Sequence, residues 1–223
     1  MTHPRSPYPR FIKCLEDLVP RDPPEGKTSE GGDRAALAAL RRGLGKRPGE
    51  VSAMYPYVIP LLSVDRAPGW EWRDDSYYIV ASLFALYPTI QRKAADERDN
   101  LGAAMRALAR AIQQERNPHG DENGDKSVER RFVALLNATT IDLPEHLRHA
   151  VSLIRSNKGA PININWVQLL YDVQDWDVAH HPVQQRWACA FWTPSSTEGK
   201  GSGADDAGNS GDVGMDTQTS DDL

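Results

Sequence analysis

The sequence predicts an all-α protein: two small helical bundles followed by a disordered acidic tail. Three observations predict it. Apolar residues recur at i, i+3, i+4 and i+7 in segment after segment, the period of a helix with one buried face. Alternating apolar and polar residues, the mark of a half-buried strand, are found over no useful length of the 223 residues. Asx and Ser residues ahead of the apolar runs, with proline and glycine between them, supply the starts and stops that separate helices need. The expected division is residues 1–116 as an N-terminal bundle, 117–126 as an acidic linker, 127–193 as a C-terminal bundle and 194–223 as the tail.

In chain order, residues 1–9 are proline-punctuated and loose, and Phe11, Ile12, Leu15 and Leu18 form a short amphipathic helix ending near Pro20. Residues 21–32 read as a loop. In the stretch DRAALAALRRGLGKR, Asp33 is a good N-cap, Leu37, Leu40 and Leu44 share one face, and Gly43 and Gly45 close the helix in the left-handed conformation. Pro48 suits the first position of a next helix carrying Val51, Met54, Tyr55 and Val58, which Pro56 and Pro60 then kink or end.

Gly69 to Arg73 is a connector holding Trp70 and Trp72 as anchors. From Asp75 the run YYIVASLFALY is apolar nearly all round, which marks the central, most buried helix. Asn100 caps a helix with Leu101, Ala104, Met105, Leu108 and Ile112 along one side. The stretch NPHGDENGDK (117–126) is the clearest internal break.

Beyond it, Ser127 caps a helix with the stripe Val128, Phe132, Leu135 and Leu136, leaving Arg130 opposite and Arg131 on the flank. Asp142 and Glu145 have capping-box spacing ahead of Leu147, Ala150, Val151 and Ile154. Trp166, Leu169, Leu170, Val173 and Trp176 keep helical spacing, and Pro182 opens a last helix with Val183, Trp187 and Phe191 in its core face. That spacing makes the tryptophans core residues rather than base-stacking platforms, Trp192 excepted.

Charge has to be divided before it is read. The net charge is −5, but from Ser195 onward seven acids and one base give −6, so residues 1–194 carry +1. A nucleic-acid surface on the folded part is therefore a local patch and not a global excess. Two cysteines, Cys14 and Cys189, lie far apart without metal-ligand spacing, and no secretory signal precedes them, which fits reduced thiols in the cytoplasm. The longest apolar stretch is too short for a bilayer, which needs about 20 residues, so no membrane partner is expected.

Catalytic equipment is thin. Cys189 with His180 or His181 is a formal thiol–base pair, yet its place between Trp187 and Phe191 reads as inert packing. The EHLRH sequence at Glu145–His149 lacks the order and spacing of a zinc protease. Asp172, Asp175 and Asp177 read as a solvated face. No glycine-rich phosphate loop or nucleophile elbow occurs. The chain is expected to be no enzyme and to use no cofactor or metal.

The ordered blocks GGDRAALAALRRGLGK, a proline-broken helix, ERRFVALL, LPEHLRHAVSLI, INWVQLLYDVQDW and VQQRWACAFW resemble one family: the CasB family, the small subunit of the type I-E CRISPR surveillance complex Cascade. The resemblance covers about residues 9–193. It implies a non-enzymatic helical protein in antiviral defence. Its implied partners are the other Cascade subunits, a second copy of itself, the CRISPR RNA and target DNA, whose R-loop it helps hold open. By position, the resemblance makes Arg41, Arg42, Lys46, Arg47, Arg130, Arg131 and Arg148 nucleic-acid-binding candidates; Arg155 and Lys158 join them from charge and helix geometry alone. The acidic loop Gly120–Asp125 and the acidic tail depart from the family pattern.

Such a role suits the residues. A guide-directed complex reads sequence by base pairing, so protein contacts need only be backbone charges on rigid supports. The competing expectation is a protein–protein scaffold whose arginines bridge neighbouring subunits.

Overall fold

The computed structural model describes residues 8–20, 32–62, 71–90, 98–116 and 125–193, except the side chains of residues 71 and 72. Most of the 117–126 linker, the connector up to Trp70 and the whole 194–223 tail lie outside the described residues. Those described are helical and contain no strand. The helices are α1 (Tyr8–Asp17), α2 (Arg34–Arg41), α3 (Tyr55–Val58), α4 (Glu71–Leu86), α5 (Leu101–Arg116), α6 (Lys126–Leu136), α7 (Leu143–Arg155), α8 (Trp166–Gln174) and α9 (Pro182–Trp192).

Helix α4 is the axis. Every residue from Ser76 to Ala85 is buried, and α2, α3, α7 and α8 all pack on it. Its two buried serines are satisfied one turn back: Ser76 Oγ donates to the Arg73 carbonyl at 2.6 Å and Ser82 Oγ to that of Ile79 at 2.8 Å. The polar atoms therefore enter the core already paired.

Helix α2 starts as its sequence dictates, with the Asp33 carboxylate accepting from the Ala36 N–H at 2.8 Å. It ends one residue after Leu40 turns into the core. Gly45 takes the left-handed conformation, φ +71°. Gly43 does not; it is needed for space, because a Cβ there would run into the Met54 sulfur. Pro48 lies in the turn beyond and not at a helix start. The proline-rich segment breaks into α3 between 3-10 turns at Ser52–Met54 and Ile59–Leu61.

Two starts differ from the sequence expectation. Asp125, not Ser127, caps α6, accepting from the N–H groups of Ser127 at 2.8 Å and Val128 at 3.1 Å, and it also pairs with Arg116. The Ser127 hydroxyl hydrogen bond, those two N–H groups and Arg116 hold the Asp125 carboxyl below its usual range against burial. Asp142 makes no side-chain cap on α7, because its carboxylate accepts from Thr139 Oγ1 at 2.8 Å instead. An Asx two residues upstream outcompetes a serine, and a nearby hydroxyl diverts the second carboxylate.

Residues 1–193 belong to one compact unit, and one core cluster draws on helices from both sides of the linker. Helices α5 and α9 approach most closely where Gly102 meets the Trp187 backbone; a Cβ there would stand 2.8 Å from Trp187 Cα and nearer still to its carbonyl oxygen. The aromatic anchors are buried with their N–H groups paired: Trp166 Nε1 donates to Thr89 Oγ1 and Trp176 Nε1 to the Ala138 carbonyl, both at 2.9 Å.

Asp172 corrects the solvated-face reading of its acidic group. It is fully buried. It accepts from Trp187 Nε1 at 2.6 Å, Arg186 Nη2 at 2.8 Å and Gln168 Nε2 at 2.9 Å, which ties α8 to α9. Burial pushes its carboxyl up while these three donors pull it back.

Candidate nucleic-acid interface

Four of the nine candidate cations stand on or just after α2. Arg41 donates from Nε to the Ala85 carbonyl at 2.6 Å, one of the last carbonyls of α4 and so without a partner in its own helix. That bond pins the α2 end to the α4 end and leaves the rest of an exposed guanidinium outward. Arg42 is exposed. The turn Gly43–Gly49, with Gly45 and Gly49 both at positive φ, carries Lys46 and Arg47 outward, and Glu50 holds the Arg47 backbone N–H at 3.1 Å.

The turn packs beside α4 and the start of α7, forming a narrow cleft. Lys46 and Arg47 line one wall and Arg148 the other, with Tyr78 and Ser82 of α4 and Pro144 between them. About 100 residues of sequence separate the two walls. None of the described residues that line it is acidic.

A second basic feature is the groove between α6 and α7, lined by Arg131, Ala134, His146, His149, Ala150 and Leu153 and continuing past Ser152 and Ser156. No described acidic residue lines it either. Arg130, on the same helix as Arg131, is exposed and points away from the buried stripe of Val128, Phe132 and Leu135. Arg155 ends α7 and Lys158 follows it, both exposed. Arg42, Lys46, Arg130, Arg131, Arg155 and Lys158 form no ion pair with a described residue.

Arg148 differs from them. Its Nε donates to Glu145 Oε2 at 2.9 Å and its Nη2 pairs with Oε1, so carboxylate and guanidinium meet as a fork. The hydrogen bond to Arg148 holds the Glu145 carboxyl below its usual range and raises the guanidinium's own value. His149 Nε2 reaches the same carboxylate at 3.1 Å. Sequence reasoning weighed Glu145, His146 and His149 only as a metal motif and a capping box and missed this cluster, although Glu145 stands three residues before Arg148 and four before His149, the spacings at which helical side chains meet.

The thiol–base idea fails on geometry. Cys189 is exposed, not packed between Trp187 and Phe191, because the face of α9 that turns inward carries Val183, Trp187 and Phe191. His181 caps α9, eight residues from Cys189, about 12 Å along the helix axis. Trp192 is 47 % exposed and donates to Glu129 Oε1 at 3.0 Å, the exception its spacing predicted.

These features define an all-helical protein with a closed aromatic core and arginine-lined helix ends that leave their charge at the surface. The family model of CRISPR-associated protein Cse2 matches residues 36–192. The Cse2 protein of Thermus thermophilus is 34 % identical over 196 residues, covering 86 % of this chain and 94 % of that one. The crystal structure of M. ruber CasB superposes with a TM-score of 0.61 at 32 % identity, over 84 % of this chain and 93 % of that one. A chain of a CRISPR RNA-guided surveillance complex shares the fold at 22 % identity, with a TM-score of 0.56 over 83 % of this chain and 91 % of that one. This chain belongs to the Cse2 family, whose members are also called CasB.

Proposed function

We propose that the chain is a non-catalytic subunit of a CRISPR RNA-guided surveillance complex of the Cascade type, and that it steadies target DNA in the R-loop by holding phosphates on its basic helix edges. Its partners in this reading are the other subunits, a second copy of itself, the CRISPR RNA and the target DNA. Family membership and the fold shared with a chain of such a complex support it. The observation that carries it is the convergence of Lys46, Arg47 and Arg148, from opposite halves of the chain, on one cleft with no acid among its described lining residues.

Arg131 and the neighbouring groove extend the basic surface along α6 and α7, and Arg42, Arg130, Arg155 and Lys158 add exposed charge without internal ion pairs among the described residues. Cations on rigid helix ends position a backbone and do not read bases. The near-neutral balance of residues 1–194 suits a subunit that adds one wall to a composite groove.

A second reading, the protein–protein scaffold, has its own support. Ile141 is 88 % exposed between α6 and α7 and Val178 46 % exposed between α8 and α9, and the Trp176–Ala138 hydrogen bond ties these two loops together. Alanine at Arg42, Arg130 and Arg131 separates the readings within an assembled complex. On the nucleic-acid reading the complex keeps full subunit occupancy and loses target DNA equally across sequences. The slope of log affinity against log salt also flattens by roughly 0.7–0.9 per lost phosphate contact. On the scaffold reading the subunit falls out, and complexes that keep it hold DNA normally.

A further inference from the structure

The basic surface contains an anion of its own. Glu145 lies in the first turn of α7, where the helix dipole already favours negative charge. Its carboxylate is gripped by Arg148 through a two-point fork, and His149 Nε2 stands 3.1 Å from it and 3.2 Å from Arg148 Nη2, donating to the carboxylate in one tautomer and accepting from the guanidinium in the other. Arg148 is the far wall of the cleft that holds Lys46 and Arg47. His149 lines the groove that holds Arg131. One carboxylate thus stands at the junction of two basic sites that have no acid among their described lining residues.

We infer that Glu145 is an internal stand-in for phosphate: it occupies Arg148 and His149 in the free chain and gives them up when a phosphodiester backbone arrives. This inference rests on the nucleic-acid reading above and adds the regulation of that site. A guanidinium fork accepts two phosphate oxygens in the geometry with which it accepts two carboxylate oxygens. The exchange therefore needs no rebuilding of the Arg148 side chain.

The pair is also placed to exchange. The Glu145 and Arg148 side chains are 48 % and 36 % exposed, and an ion pair this open to water holds its partners only about two- to fivefold over solvent. A phosphate that meets Lys46 and Arg47 at the same time outbids a lone carboxylate, whereas an isolated anion gains little. Glu145 raises the threshold for weak polyanions and leaves the engaged site intact.

The test measures binding of a fluorescently labelled single-stranded oligodeoxynucleotide to the full chain at low salt. Glu145→Gln keeps the side-chain shape and removes the charge, and is expected to tighten binding about two- to fivefold. That gain should vanish when Arg148→Ala and His149→Ala are already present, because nothing remains to be released. A gain of the same size in that background overturns the inference, since Glu145 would then act only as one more negative charge. No gain in Glu145→Gln alone overturns it as well. Glu145→Ser reads the same exchange if the glutamine variant melts early. Lys46→Ala with Arg47→Ala reports separately on the parent reading. If that pair weakens binding while the Glu145 coupling is absent, only the present inference falls. If the pair changes nothing, or neither wild type nor Glu145→Gln binds, both fall.

Discussion

Asparagine in place of Asp172 keeps the shape of the side chain and removes one charge and one acceptor. In the wild type one carboxylate oxygen serves Gln168 and Arg186 and the other serves Trp187. The asparagine amide has one oxygen, so its NH2 must face either the indole N–H or the guanidinium, and a donor is left facing a donor. If the oxygen stays with Arg186, the Trp187 N–H is orphaned in a fully buried site, at a cost of about 1–3 kcal/mol. The remaining bond to Arg186 loses its charge, which adds to this, while relief of the buried carboxylate's desolvation offsets part of it. That term stays below the roughly 3–5 kcal/mol of a fully buried broken pair, because the Arg186 side chain is 40 % exposed and water can reach it. The sum is about 2–4 kcal/mol. At about 2–4 °C per kcal/mol for a domain of this size, the midpoint falls on the order of 10 °C. Urea titration followed by tryptophan fluorescence measures it, with an unchanged m-value required for a pure stability effect. A loss under about 0.5 kcal/mol would refute the claim that Asp172 ties α8 to α9, and so would an equal loss in Arg186→Gln, which leaves the Trp187 bond in place.

Gly102→Ala is expected to destabilise by about 1–3 kcal/mol, since the new methyl meets α9 backbone that cannot rotate away. Gly159→Ala, whose methyl meets only the Asn157 side chain at 3.6 Å, is the neutral control in the same thermal melts. Asp125→Ala removes the α6 cap and costs about 1–2 kcal/mol at pH 7. Its folded-state value is depressed, so the wild-type advantage is present above the ordinary carboxylate range near pH 4 and lost as pH falls through the folded value; melting points of the two proteins should converge as the pH is lowered through that value. A glutamate-specific protease is expected to cut first after Glu122 and Glu198, and the nicked chain to stay together on gel filtration through the packing of α4 on α8 and α5 on α9. Deletion of residues 195–223 is expected to leave the melting point unchanged and to tighten oligonucleotide binding at low salt, by removing −6 of competing charge.

Much of the fold was legible along the chain because a helix writes its buried face into spacings of three and four residues. The leucine stripe and Asp33 cap of α2, the gapless apolar run of α4 and the tryptophan spacing of α8 and α9 were all readable for that reason, and so was Trp192 as the aromatic left outside. Local pattern also placed arginines on helix edges, since a core that closes without them leaves their charge outward. What it did not decide was which polar residues a neighbouring helix would cover. Asp172 looks like one of three solvated acids until α9 brings Arg186 and Trp187 over it, and Cys189 looks packed until α9 turns its other face inward. The need for glycine at 43 and 102 likewise depends on the closeness of Met54 and Trp187. The meeting of Lys46 and Arg47 with Arg148 lies furthest from sequence. Helical periodicity fixes the face a residue takes over a turn or two, but only the packing of α2, α4 and α7 brings residues 100 positions apart to one cleft.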